Sequence, residues 1–184
     1  MKNLFMCVLF TFLSLGLIAC GADEKANTTN KEASADKPEE ATSGKKDFEE
    51  YLNKVQPIVL EDLANFAAKF EELKNQSING EITDIEFGQA IVDELLPTAT
   101  QIQEDVEAIM PAKEIRDLHE TLIDMTAKNA QALSEIVSAI ESGDSSKITS
   151  ANELLSEARK LERDYVYDIK EYAAKYDIEF EEQK

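Results

Sequence analysis

Four long amphipathic stretches constrain this chain more than any other feature. In each, apolar side chains recur at steps of three and four residues, the spacing of one face of an α-helix. The first spans about 47–75 and aligns Phe48, Leu52, Val55, Val59, Leu63, Phe66, Phe70 and Leu73. The second aligns Ile91, Leu95, Ala99, Ile102, Val106 and Ile109, and the third Ile115, Leu118, Leu122, Met125, Ala130, Leu133, Ile136 and Ile140. The fourth, about 145–176, aligns Ile148, Ala151, Leu154, Ala158, Leu161, Tyr165, Ile169, Tyr172 and Tyr176. Helices with one apolar flank must hide it against one another. Four of them, each roughly 26 to 32 residues long and joined by short turns, specify an up-down-up-down four-helix bundle about 40–48 Å long. No stretch alternates with period two for long enough to form a strand, so the expected class is all-α.

The punctuation between the stretches agrees with that reading. Asn79 and Gly80 mark a turn within 76–81. Thr83 with Glu86 three residues on has the form of a capping box, in which hydroxyl and carboxylate satisfy free amides at a helix start. Pro111 suits the first turn of the third helix, where its missing amide costs nothing. Gly143 suits a left-handed stop, and Asp144 the N-cap of the fourth helix. Two prolines interrupt the pattern. Pro57 either bends the first helix or divides it, and Pro97 should kink the second because its ring meets the carbonyl of Asp93. The acidic segment 177–184 is expected to fray, with Ile178 and Phe180 able to fold back.

Ahead of the bundle, Lys2 gives a small positive start and Leu4 to Leu17 an uncharged apolar run. Leu17, Ile18, Ala19 and Cys20 then follow, which is the pattern of a lipobox. A transmembrane helix needs about 20 apolar residues. This run is shorter and carries Thr11, Ser14 and Gly16, so a cleaved signal peptide over 1–19 fits better. Cys20 resembles the modified cysteine of bacterial lipoproteins, which carries a diacylglycerol on sulfur; the alternative is an ordinary signal cut after Ala19, leaving a free thiol. Two or more acyl chains hold a protein on a bilayer firmly, whereas one holds it marginally. Residues 20–46 then contain no aromatic residue and no aliphatic larger than alanine. Such a segment reads as a disordered acidic tether with a mean reach of about 25–30 Å. The expected domain order is signal peptide 1–19, lipidated cysteine and tether 20–46, bundle 47–176 and acidic tail 177–184.

With 38 acidic against 19 basic residues, the chain carries a net charge of −19, and −20 once Lys2 leaves with the signal. A surface this acidic repels phosphates, which argues against nucleic acid as a partner. Electrostatic partners should be cationic, with attraction that fades over a Debye length of about 8–10 Å in salt, although an acidic surface also serves simply to keep a protein soluble. Cys7 lies within the signal and Cys20 is spent on lipid, so no disulfide is expected and packing alone must hold the fold.

Chemistry is harder to place. His119 is the only histidine, and nucleophilic catalysis needs a base beside a serine, threonine or cysteine, with no nucleophile-elbow motif present. Its neighbours at three and four residues are Ile115, Arg116, Leu122 and Ile123. A carboxylate-bridged di-iron bundle would need glutamate where Arg116 stands. His119 is therefore expected at the boundary of the core with one hydrogen bond. Glu104, Asp105 and Glu107, or Glu141 with Asp144, could gather a divalent ion but lack the alternating ligand spacing of a calcium loop. Tyr165, Tyr172 and Tyr176 share a face and are expected to close one end of the bundle, leaving Tyr167 as the exposed contact residue.

Taken together, the lipobox, the acidic linker, Tyr51 through Pro57, Pro111 ahead of Leu118 and His119, and the Ser142, Gly143, Asp144 turn before a helix ending in tyrosines make the chain similar to small helical-bundle lipoproteins of Gram-positive bacteria of the Bacillus kind. The resemblance implies a helical bundle on the extracytoplasmic face of the cell membrane and transfers no catalytic residue. The expected function is that of a lipid-anchored, non-enzymatic bundle that needs no cofactor and acts through contacts with an envelope protein or peptide. The alternative is a small-ligand or divalent-metal-binding lipoprotein serving a transporter.

Overall fold

The computed structural model describes residues 38–179, and its helices stop and start at the capping residues. The first rod is α1 (Pro38–Pro57), a π turn at Ile58–Asp62 and α2 (Leu63–Ile78) in unbroken succession. It ends at Gly80, whose φ is +73°. There the Glu81 amide donates to the Gln76 carbonyl at 2.8 Å and the Gly80 amide to Ser77 at 3.0 Å, so two orphan carbonyls of the last turn are satisfied. The second rod is α3 (Asp84–Ala90), a π turn at Ile91–Leu95 and α4 (Leu96–Glu107). The Thr83 amide donates to the Glu86 carboxylate at 2.8 Å and the Glu86 amide to the Thr83 hydroxyl at 3.2 Å, completing the expected capping box.

The third rod opens with a 3₁₀ turn, Lys113–Ile115, and continues as α5 (Arg116–Ser142). Pro111 thus precedes the first helical turn instead of occupying it. Gly143 stops the rod at φ +67°, and Asp144 caps α6 (Ser145–Lys175) by accepting the Ser146 amide at 2.9 Å. At the far end Asp177 takes φ +52° and the Ile178 amide donates to the Ala173 carbonyl at 2.9 Å. Ile178 accordingly packs on the core, while Phe180 and the rest of the tail lie outside the described residues.

The architecture is an all-α four-helix bundle, with no strand among the described residues. Its core is built from the expected stripes, including Ile91, Leu95, Ile102 and Val106 of the second rod and Leu118, Leu122 and Leu133 of α5. The first rod departs from the expected stripe at two places. Tyr51 and Ile58 are buried where Leu52 and Val59 are only half-buried. From Ile58 to Phe66 the core stripe takes a step of eight residues, one more than two α-helical turns provide. The π turn takes up the extra residue and keeps the stripe on one line.

The second π turn does the same for the repeated steps of four from Phe87 to Ala99. It also accounts for Pro97, which meets no break. The Leu96 amide donates to Ile91 in the wide turn, and the Thr98 hydroxyl returns to the Glu94 carbonyl at 2.8 Å. Pro57 likewise ends α1 and leads directly into the first π turn, so the rod changes from one helical segment to the next at the proline without a loop between them.

The bundle does not begin at residue 47. Helix α1 starts nine residues earlier, at Pro38, and so takes in the end of the expected tether. A helix can propagate there because Glu39, Glu40 and Ala41 are good helix formers and Pro38 stands where no amide partner is needed. Lys45 then donates from Nζ to the Asp177 carbonyl at 3.2 Å, tying the segment to the end of the fourth rod. Residues 1–37, with the signal sequence and Cys20, lie outside the described residues. No helix among the described residues is long and apolar enough to cross a membrane. Ile148 is also misplaced by the stripe: it is 40% exposed in the first turn of α6.

Because Gly143 sits in the left-handed region, a Cβ there is strained by about 1 kcal/mol or slightly more. Gly143→Ala should therefore lower the Tm by about 2–4 °C, read by thermal unfolding at 222 nm. An unchanged Tm would contradict this account of the turn.

Candidate functional site

The four rods do not pack equally. Helices α5 and α6 run against one another along their length, whereas the first and fourth rods nowhere bring their backbones together to a similar extent. Large aromatic side chains bridge them at one end. The Phe48 ring lies 5.3 Å from that of Tyr172 and 6.0 Å from that of Tyr176, centroid to centroid. The Tyr51 and Tyr165 hydroxyls meet at 3.1 Å in the interior, each the other's partner. Gly44 lies against the Tyr176 ring, with so little room that a Cβ at residue 44 would stand 2.6 Å from the Tyr176 hydroxyl. The Tyr172 hydroxyl reaches across to the Glu114 carbonyl and Lys175 stands 4.9 Å over the Tyr176 ring. Tyr165, Tyr172 and Tyr176 thus close this end of the bundle as their spacing predicts, and Tyr167 is 68% exposed.

Beyond this clamp a slot of about 170 Å³ lies between the rods. Leu60, Leu63, Ala64 and Ala67 of the first rod form one wall, and Leu155, Ala158 and Val166 of α6 the other. Met125 and Leu133 of α5 form the floor, Phe66 and Phe70 add ring faces, and Tyr165 belongs to both slot and clamp. Side chains at Ala64, Ala67 and Ala158 are too short to fill the space between the helices. The polar groups present are Asn129, Arg159, Glu71 and Glu162. Glu71 is paired with Lys74. The Glu162 carboxyl is pushed above the usual carboxylate range by desolvation, with Arg163 and Arg159 pulling the other way.

His119 is not at the boundary. It is 3% exposed, and neither ring nitrogen has a hydrogen-bond partner among the described residues. Its ring stands edge-on to Tyr51 with centroids 5.7 Å apart. The carbonyls of Val106 and Ile109, where the second rod ends, lie near enough to favour its charged form, but neither is placed to complete a bond. Burial dominates and holds the imidazole below its ordinary range, against the smaller pull of Glu120 and those carbonyls. Burial also pushes the Tyr51 phenol up to about 12, although its bond to Tyr165 works in the opposite sense. These surroundings are those of a core residue held in its neutral form by burial.

The acidic groups singled out in the sequence stay on the surface. Asp105 accepts a bond from Gln101 at 3.0 Å and Glu107 one from Gln103 at 2.8 Å, both along α4, while Glu104 is exposed. Asp144 is occupied as a cap, and its bonds from Ser146 hold its carboxyl below the usual range. Among the described residues no three of the His, Cys, Asp and Glu side chains gather where they could hold a metal ion.

Of the slot, the sequence pattern singled out the lining residues that lie on the apolar stripes, but not the gap between them. The available signal was a run of alanines, Ala64 and Ala67 in the first rod and Ala158 in the fourth, at places where a packed interface would carry larger side chains. Compared with known protein families, characterised proteins and solved structures, the chain matches none, so the site is interpreted from its own geometry.

The depressed pKa of His119 fixes the sign of a pH effect. The unfolded chain takes up the imidazole proton near the ordinary value of 6.5, before the folded chain does, so acid favours unfolding. Stability from this residue is fully present above that pH and is lost as the pH falls from about 6.5 towards the lower folded value. Chemical denaturation at pH 7.5 and pH 5.5 should therefore show a larger acid-induced loss for the wild type than for His119→Leu. Equal losses would mean that the buried imidazole does not titrate as described.

Proposed function

We propose that this protein is a non-catalytic binding module, held at the outer face of the cell membrane by a lipid on Cys20, and that it acts by receiving part of a partner protein or peptide between its first and fourth rods. The observation that supports this reading is the size of the slot. Sites that enclose a free small molecule usually offer about 300–1,000 Å³. The slot has about 170 Å³, room for one side chain of a larger partner. Protein interfaces concentrate their binding energy in anchors of this sort, buried in a pocket and ringed by weaker contacts that exclude water. The half-buried apolar residues Leu60, Leu63, Leu155 and Val166 around the slot supply such a ring.

The same magnitude weighs against a drug-sized organic cargo enclosed in this slot. The Cys20 anchor rests on the lipobox and on the strength with which two acyl chains hold to a bilayer.

Photocrosslinking on intact cells tests both halves. A benzophenone side chain at Leu155, beside the slot, should give a discrete adduct that fractionates with membranes, while the same group at the exposed Gln131 of α5 should not. Cys20→Ser should move the protein out of the membrane fraction or stall its processing. Identical adducts from both positions would contradict the binding half, and unchanged fractionation of Cys20→Ser the anchoring half.

A further inference from the structure

We infer that the side chain received by the slot is aromatic, a single phenylalanine- or tyrosine-like ring presented by a partner peptide. The inference rests on the binding role proposed above and names its partner's chemistry. An enclosed apolar cavity of about 150 Å³ holds one benzene ring, and that volume sets the size scale for the slot, which is open on one side. At about 170 Å³ the slot matches one six-membered ring with little to spare.

The walls select for that ring. Phe66, Phe70 and Tyr165 present ring surface and Met125 a thioether, and Phe66, Tyr165 and Met125 are themselves buried, so they are held in place before any guest arrives. Phe70 is backed by Phe87, with centroids 6.4 Å apart. Edge-to-face and offset ring contacts, and sulfur against a ring edge, add attraction beyond that of the area buried. A leucine-sized guest would gain the area without those contacts. A fatty acid head would meet Arg159 as well as Glu71 and Glu162 at the slot, so the polar rim does not decide between an acyl chain and a ring, and the ring-bearing walls favour the ring.

Methyl NMR on the full-length protein tests this, following the signals of Ala64, Ala67, Met125 and Leu133 during titration with small probes. N-acetylphenylalaninamide should shift them saturably and about fivefold more tightly than N-acetylleucinamide, and N-acetylglycinamide should give no saturable shift. Ala67→Leu, which fills the slot, should abolish the effect while circular dichroism and Tm show the fold retained. Equal affinity for the leucine and phenylalanine amides would overturn the aromatic preference and leave the binding role standing. Tighter binding of octanoate than of the phenylalanine amide would overturn the inference in favour of an acyl site. No saturable shift from any probe would overturn both the inference and the binding role.

Discussion

The aromatic clamp between the first and fourth rods is the contact on which the rest of the structure depends. In a bundle closed by backbone-to-backbone packing, four helices share one core all round. Here the third and fourth rods pack intimately, and the first is held to the fourth largely by Phe48 and Tyr51 reaching Tyr165, Tyr172 and Tyr176. Two phenol hydroxyls buried together are tolerable only because each satisfies the other, since an unpartnered buried hydroxyl costs about 1–3 kcal/mol. Gly44 and Lys45 extend the clamp to the end of α6, which is why the helix runs back past the apolar stripe.

The slot follows from this arrangement. Long side chains at the clamped end keep the two rods apart, and the short ones at Ala64, Ala67 and Ala158 leave that distance unfilled further along. The π turn at Ile58–Asp62 stands at the junction between the two regimes. It adds one residue to the rod, and with Ile58 kept in the core it leaves Val59 and Leu60 towards the opening. Such turns occur often at functional sites, because a helix with one inserted residue is less stable than a regular one unless something compensates. An apolar recess beside a rigid aromatic layer is a preorganised place to bury an anchor, and it loses little freedom on doing so.

Much of the fold was legible because helical amphipathicity is a strong local signal. The second and third stripes reappear almost unchanged in the core, and the Thr83–Glu86 box, the Gly143 stop and the Asp144 cap are all formed. The departures share a physical origin in contacts made at long range. Residues 38–46 carry no large apolar side chain, so nothing local announces that Lys45 will find the Asp177 carbonyl. Ile148 falls in register with its stripe, yet it lies in the first turn of α6, just past Gly143, where it is left 40% exposed. His119 sits beside an apolar stripe and was expected at its edge, but the Tyr51 ring and the end of the second rod cover it, and neither nitrogen has a partner among the described residues. The slot was least legible of all. Periodicity reports which face is apolar, and it does not report how far apart two such faces are held.

The central claim is that the Tyr51–Tyr165 pair pins the first rod to the fourth. A double-mutant cycle on unfolding free energy with Tyr51→Phe, Tyr165→Phe and the double variant measures it most directly, because removing both hydroxyls abolishes the polar burden that either single change exposes. Each single variant should lose about 1–3 kcal/mol, and the double variant should lose less than either single one, because it leaves no unpaired hydroxyl in the core. Strictly additive losses, or single variants as stable as the wild type, would contradict the account.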